Sequence, residues 1–125
     1  MSEDQPIRLL IVDDSEHMRE GIQHLLSAHD DILVVAEAAD GFAATIAAAE
    51  VQPHVVLMDA GLPIMGGSEA TRQIKEQWPK IRVLFFAADA AEVKDGLAAG
   101  ADACLMKESG ESELLEGIRA LAPAE

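Results

Sequence analysis

The sequence predicts an α/β fold, a doubly wound parallel sheet with helices on both faces. Three observations lead there. Five short runs rich in Val, Ile and Leu alternate with five segments of helical periodicity. The runs are near-continuously apolar, as strands buried on both faces must be. Carboxylates and one lysine stand just past the ends of three runs, where such sheets place their ligand sites.

Each element has its own signal. Ile7 to Val12 (IRLLIV), entered from Pro6, reads as the first strand; Asp13, Asp14 and Ser15 stop it and suit a helix start. From Glu16 to Leu26, Met18, Ile22, Leu25 and Leu26 recur at helical spacing, and Asp30–Asp31 break the helix. Ile32 to Ala36 is the second strand. Phe42 to Val51 is alanine-rich and helix-favouring, ended by Pro53. Val55 to Met58 is the third strand, followed by Asp59 and a Gly/Pro-rich loop in which Gly66–Gly67 serve as loop and helix-entry residues. Ser68 to Trp78 places Ala70, Ile74 and Trp78 on one helical face, with Trp78 at the end far from Asp59. Ile81 to Phe86 is strand four. Ala90 to Ala99 is a weaker helix, since Gly96 in its middle costs about 1 kcal/mol relative to alanine. Ala101 to Met106 is strand five, and Glu111 to Leu121 is the last helix, with Leu114, Leu115, Ile118 and Leu121 facing inward.

At 125 residues the chain reads as one domain, 1–125, with its core at about 7–121. Half of it is hydrophobic and 26% charged, a balance that excludes disorder as the main state. No apolar run approaches the ~18 residues of a membrane span. The polar N-terminus (Met1 to Pro6) is no signal peptide, and a lone cysteine, Cys104, forms no internal disulfide. The reading is therefore cytoplasmic, with no membrane partner. A net charge of −14 repels nucleic-acid phosphates, so the chain itself offers no nucleic-acid surface. The chain ends at Glu125, just after the last helix, so no output domain is expected within it.

The strand ends define a candidate site. In the flavodoxin-like order 2-1-3-4-5, strands one and three are neighbours, and Asp13, Asp14 and Asp59 converge. Three carboxylates at close range raise one another's pKa, a conflict that a hard divalent cation removes. Mg²⁺ (or Mn²⁺) accepts one or two carboxylates plus a backbone carbonyl, which Gly61 could offer. Lys107 supplies a positive charge for an incoming phosphoryl group, and Asp59 can attack phosphorus as a carboxylate nucleophile. Taken singly, Asp13–Asp14 suit an N-cap pair and Lys107 a solvated surface residue. Together, at one sheet edge, they suit a phosphoacceptor pocket.

At these residues the sequence resembles the receiver domain of two-component response regulators. LLIVDD, VVLMD followed by LPIMGG, and AGADACLMK stand at that family's spacing, and the similarity runs from Ile7 to about Leu121. REGI (Arg19 to Ile22), EAADG (Glu37 to Gly41) and GGSEATRQI are most similar to receivers that precede LuxR-type (NarL/FixJ-like) DNA-binding domains. The resemblance implies that Asp59 is the phosphoacceptor. Asp13 and Asp14 would hold Mg²⁺ with the Gly61 carbonyl, and Lys107 would contact the phosphoryl group. Backbone N–H groups at Ala60 and Ala88 would also touch the phosphoryl group. It further implies a sensor histidine kinase or small phosphodonor as the phosphate source, a transcriptional output, and DNA contact only through an output domain. A homodimer is an open partner.

Two positions depart from the family pattern. Receivers end strand four with Ser or Thr, whose hydroxyl bonds the phosphoryl oxygen; here Ala87 and then Ala88 stand there. Losing such a charge-assisted hydrogen bond costs about 1.5–3 kcal/mol of coupling. The Tyr or Phe three residues before the lysine is Cys104, which reads as a small buried hydrophobe ahead of a redox sensor. The segment from Ala87 to Gly100 is also about two residues short. His17, His24, His29 and His54 lack ligand-type spacing and read as solvated or helix-end residues.

Three alternatives bound the reading. A haloacid-dehalogenase-type phosphatase needs Asp-x-Asp after strand one, and Ser15 occupies the second acid's place. A flavin-binding flavodoxin relative must cradle a phosphate where Asp13–Asp14 would repel it. A receiver acting as a phosphorylation-independent interaction module is the serious competitor. As a receiver, the chain is expected to be no enzyme beyond Mg²⁺-dependent self-phosphorylation and dephosphorylation.

Overall fold

The computed structural model describes residues 5–123. Residues 1–4 of the polar N-terminal segment, and the chain's end at Glu125, lie outside them. Five strands, β1 (Ile7–Val12), β2 (Ile32–Ala38), β3 (Val55–Asp59), β4 (Arg82–Ala87) and β5 (Ala103–Met106), alternate with α1 (Glu16–Leu26), α2 (Gly41–Val51), α3 (Gly67–Gln77), α4 (Ala90–Ala98) and α5 (Glu111–Ala120). All strand pairings are parallel, in the order β2-β1-β3-β4-β5. This is the flavodoxin-like fold expected from the sequence.

Side-chain alternation along the central strands divides the core in two. Leu10, Val12, Val56, Met58, Val83 and Phe85 face Ala44 and Ala48 of α2 and Ala70 and Ile74 of α3. Leu9, Ile11, Val55, Leu57, Leu84 and Phe86 face Ile22 and Leu26 of α1 and Leu114 and Ile118 of α5. β3, central and covered on both sides, is buried at every residue. β2 and β5 form the edges and are only partly covered.

Several details differ from the sequence expectation. Met18 is exposed, and only Ile22 and Leu26 of the α1 stripe are fully buried. Leu115 and Leu121 are half-buried, while Leu114 and Ile118 carry the α5 contact. β5 begins at Ala103; just before it the Asp102 Oδ2 accepts the Val83 N–H at 2.8 Å and the Lys75 ammonium at 2.9 Å, while the Asp102 N–H donates to the Val83 carbonyl at 2.9 Å. His54 is not a solvated residue. Its Nδ1 accepts the Arg8 N–H at 3.0 Å, and burial, with Arg8 nearby, pulls its pKa down. Gly96 is more than a weak point in α4, because a Cβ there would overlap the Phe85 ring. The helix thus needs glycine to lie against β4. Trp78 follows the last residue of α3, at the end opposite Asp59, as expected.

Candidate functional site: an acidic pocket at the carboxyl edge

Strand register brings the site together. Val12 lies beside Met58, Asp59 beside Phe86, and Ala87 beside Met106. The residues that follow, Asp13, Ala60, Ala88 and Lys107, therefore emerge at one edge.

Asp13 is buried just past β1. Its N–H donates to the Ala38 carbonyl at 3.0 Å, and its Oδ1 accepts the Ser15 N–H at 2.9 Å. The cap of α1 is Ser15, whose Oγ accepts the Met18 N–H at 3.1 Å. The bland reading of Asp13–Asp14 as an N-cap pair is thereby corrected, since one serine does that work. Asp14 is exposed beside the pocket.

Asp59 closes β3 at 2% exposure. The Lys107 Nζ stands 2.6 Å from its Oδ1. Asp13, Asp14 and Asp59 each offer one carboxylate oxygen, all within 4.8 Å of one another. Gly67 helps hold the following loop: a Cβ there would overlap the Asp59 carbonyl, and its N–H donates to the Ala60 carbonyl at 3.2 Å.

The electrostatics follow from burial and crowding. Burial pushes the Asp13 carboxyl up; the Ser15 N–H opposes this, and the Asp59 charge adds to it. Burial pulls the Lys107 ammonium down, but the Asp59 hydrogen bond and charge, with Asp13 and Glu92 beyond, outweigh it and raise its pKa. Lys107 is therefore no idle surface lysine.

The expected backbone donors need correction. The Ala60 N–H is spent on the Phe86 carbonyl at 3.1 Å, continuing the β3–β4 ladder, so it is not turned to the carboxylate. The Gly61 N–H is, at 3.4 Å from Asp59 Oδ1. The Ala88 N–H already donates to Glu92 Oε1 at 2.7 Å. The spacing Asp89-x-x-Glu92 is a capping-box signal from which Glu92's backward reach could have been read. Its closeness to the pocket could not, because that depends on the β4–β5 register.

Ala87 is fully buried and brings a methyl where a hydroxyl was wanted; its carbonyl accepts the Lys107 N–H at 2.8 Å. Cys104 is half-buried and packs against the core, its Sγ 3.8 Å from the Val93 carbonyl. Burial pushes its thiol up, away from the reactive thiolate. The small-hydrophobe reading fits it.

A hard divalent cation suits this donor set. Two of the three clustered carboxylates are buried, and the pressure of burial and like charge on Asp13 is what a cation would relieve.

Comparison with known proteins agrees with the geometry. The family model described as response regulator receiver domain matches residues 9–119. This chain belongs to that family. It is a receiver of the two-component kind, a signalling family and not a classical enzyme class. It is 39% identical over 115 residues to the response regulator protein VraR of Staphylococcus aureus, covering 90% of this chain and 55% of that protein. The chain thus spans about half the length of the curated relatives it matches. Among solved structures, a LuxR-family two-component response regulator from Aurantimonas sp. SI85-9A1 is similar. That match has a TM-score of 0.87 at 36% identity, over 94% of this receiver and 85% of that chain. The receiver domain of sensor histidine kinase PA1611 from Pseudomonas aeruginosa PAO1 superposes with a TM-score of 0.83 at 25% identity, over 93% and 97% of the two chains. That structure has a magnesium ion coordinated in its active-site cleft. Among the described residues of this receiver, no helix is long and apolar enough to cross a membrane.

Proposed function

We propose that this receiver accepts a phosphoryl group on Asp59. The observation that carries the reading is the buried Asp59 carboxylate, 2.6 Å from Lys107 and clustered with Asp13 and Asp14. An Asp59 oxygen attacks the phosphorus of the donor. One O–P bond forms, the bond from phosphorus to the leaving group breaks, and the leaving group departs with that electron pair. With acetyl phosphate the products are the aspartyl-phosphate and acetate, and no proton need move. Lys107 meets the charge on the transferred oxygens, and the Gly61 N–H faces the same carboxylate. Asp13, Asp14, Asp59 and the Gly61 carbonyl would hold Mg²⁺ (or Mn²⁺). When bound, the cation neutralises charge on the acceptor and the phosphoryl oxygens.

The natural donor in this reading is a sensor histidine kinase or a small phosphodonor in the cytoplasm. Residues 1–125 act as one receiver domain. The similarity to a LuxR-family response regulator supports a transcriptional output; in this reading an output domain contacts DNA and receivers can pair as a homodimer. Dephosphorylation of Asp59 is the one other reaction the chain would assist. A second reading, a phosphorylation-independent interaction module, draws support from Ala87 and from the Ala88 N–H being already engaged.

Intact mass after incubation with Mg²⁺ and acetyl phosphate separates the two. The wild type gains one phosphoryl group and Asp59→Asn gains none. An unmodified wild type would favour the interaction module.

A further inference from the structure

The β4 side of the pocket holds one feature that phosphate acceptance does not explain. The Ala88 N–H, the first donor past the buried methyl of Ala87, is taken by Glu92 Oε1 at 2.7 Å. Glu92 belongs to the first turn of α4, and its own N–H donates to Asp89 Oδ1 at 2.9 Å. An ordinary capping box would return the Glu92 carboxylate to the N–H of the cap residue, Asp89. Here it reaches one residue further back, to the strand end. Ala87 pairs with Met106, so Ala88 and Lys107 leave neighbouring strands side by side. The Glu92 charge consequently acts on the same ammonium that holds Asp59. A tethered carboxylate thus occupies a donor at the pocket's rim, within electrostatic reach of Lys107.

We propose that Glu92 is the switch group of this receiver. Its carboxylate holds the Ala88 N–H while Asp59 is unmodified, and a phosphoryl group on Asp59 takes over that donor and expels it. The proposal rests on Asp59 accepting phosphate. A phosphoryl group brings a charge of about −1.5 to −2 and three strong acceptor oxygens, against one charge on Glu92. Lys107 and the Ala88 N–H then favour the larger charge, and the two anions repel. The switch works by ejecting a side chain, with no need for a β4 hydroxyl to be drawn in. The response falls on the first turn of α4, where Ala90 and Ala91 are exposed and the Asp89 and Glu92 side chains tie the turn to the strand end. Further along, Gly96 seats the helix on Phe85, so the far end stays in place as the first turn lets go.

The test compares wild type, Glu92→Gln, Glu92→Ala and Asp59→Asn. Phosphorylation by acetyl phosphate is followed by intact mass, and the Ala88 to Val93 amides by NMR, before and after beryllofluoride with Mg²⁺. Glu92→Ala should be phosphorylated about ten-fold faster than wild type, the scale of one charge-assisted hydrogen bond removed from competition, with Glu92→Gln between them. The first-turn amides of unmodified Glu92→Ala should already lie where those of activated wild type move. A wild type that resists phosphate while Glu92→Ala accepts it would make Glu92 a permanent block, and the proposal of a switch would fall. If Glu92 only caps the helix, its variants lose thermal stability yet react at the wild-type rate, and the proposal falls while the Asp59 reading stands. If every variant is inert to both reagents, the Asp59 reading fails and the switch goes with it.

Discussion

Two Lys–Asp pairs stand at opposite edges of the sheet, and they differ in what surrounds them. Lys75 meets Asp102 at 2.9 Å at the amino edge, and its ammonium also donates to the carbonyls of Pro79 at 3.0 Å and Ile81 at 2.9 Å. Asp102 in turn accepts the Val83 N–H. Lys107 meets Asp59 at 2.6 Å at the carboxyl edge, but two further carboxylates crowd the same space. The first pair is satisfied and ties α3 to the starts of β4 and β5. The second leaves excess negative charge at a buried position. A divalent cation would relieve such a conflict, so the same two residue types tie the fold together at one edge and face a crowded acidic pocket at the other.

Substitution should break the symmetry between the pairs. Asp59→Asn abolishes phosphorylation yet holds stability within about 1 kcal/mol, because relief among the acids offsets the lost Lys107 contact. Asp102→Ala leaves phosphorylation intact but costs about 2 kcal/mol, since the Val83 N–H and the Lys75 ammonium lose their shared acceptor. Urea denaturation beside the mass assay measures both. Equal stability losses in the two variants would erase the distinction.

Packing near the functional edge is tested by two glycines. Gly96→Ala drives a methyl into Phe85 and should cost about 2 kcal/mol. Gly21→Ala, exposed in α1 with nothing within 4 Å of its would-be Cβ, should stabilise by about 0.5–1 kcal/mol. Denaturation midpoints with unchanged slopes would check the pair.

The smallest effect belongs to His54 at the amino edge. Its pKa is depressed below the ordinary 6.5, so its folded form favours the neutral ring that accepts the Arg8 N–H. The unfolded state then binds the extra proton first. The stability this gives is complete above 6.5 and is lost as pH falls through the depressed folded value. His54→Gln should flatten that part of the stability-versus-pH curve; an identical slope in the variant would show the ring to be a bystander.

Much of this was legible in the sequence. Strand runs, helix spacing and terminators located every element, because burial on both faces writes continuous apolar stretches and Pro, Gly and Asp interrupt them. Asp59 stood out because a carboxylate closing an apolar strand demands a partner, and the strand-order rule named Asp13, Asp14 and Lys107. The misreadings at His54, Gly96 and Ala60 concern contacts between distant segments, while those at Asp13–Asp14 and Ala88 were local, where Ser15 and Glu92 took the contacts. His54 looked solvated until Arg8 came beside it, 46 positions away. Gly96 looked like a helix weakness until the Phe85 ring was seen against it. Ala60 looked available until the β4 carbonyl claimed its N–H.

The sequence by itself determined the order of elements and the identity of the acidic pocket, since both depend on local pattern and on which residues end which strands. Tertiary structure alone decided which polar groups are spent and which are left over. That Asp102 is satisfied while Asp59 is crowded, and that the Ala88 N–H held by Glu92 lies beside Lys107, follow from register across parallel strands. Register is set by the packing of two core faces at once, and no single segment carries it.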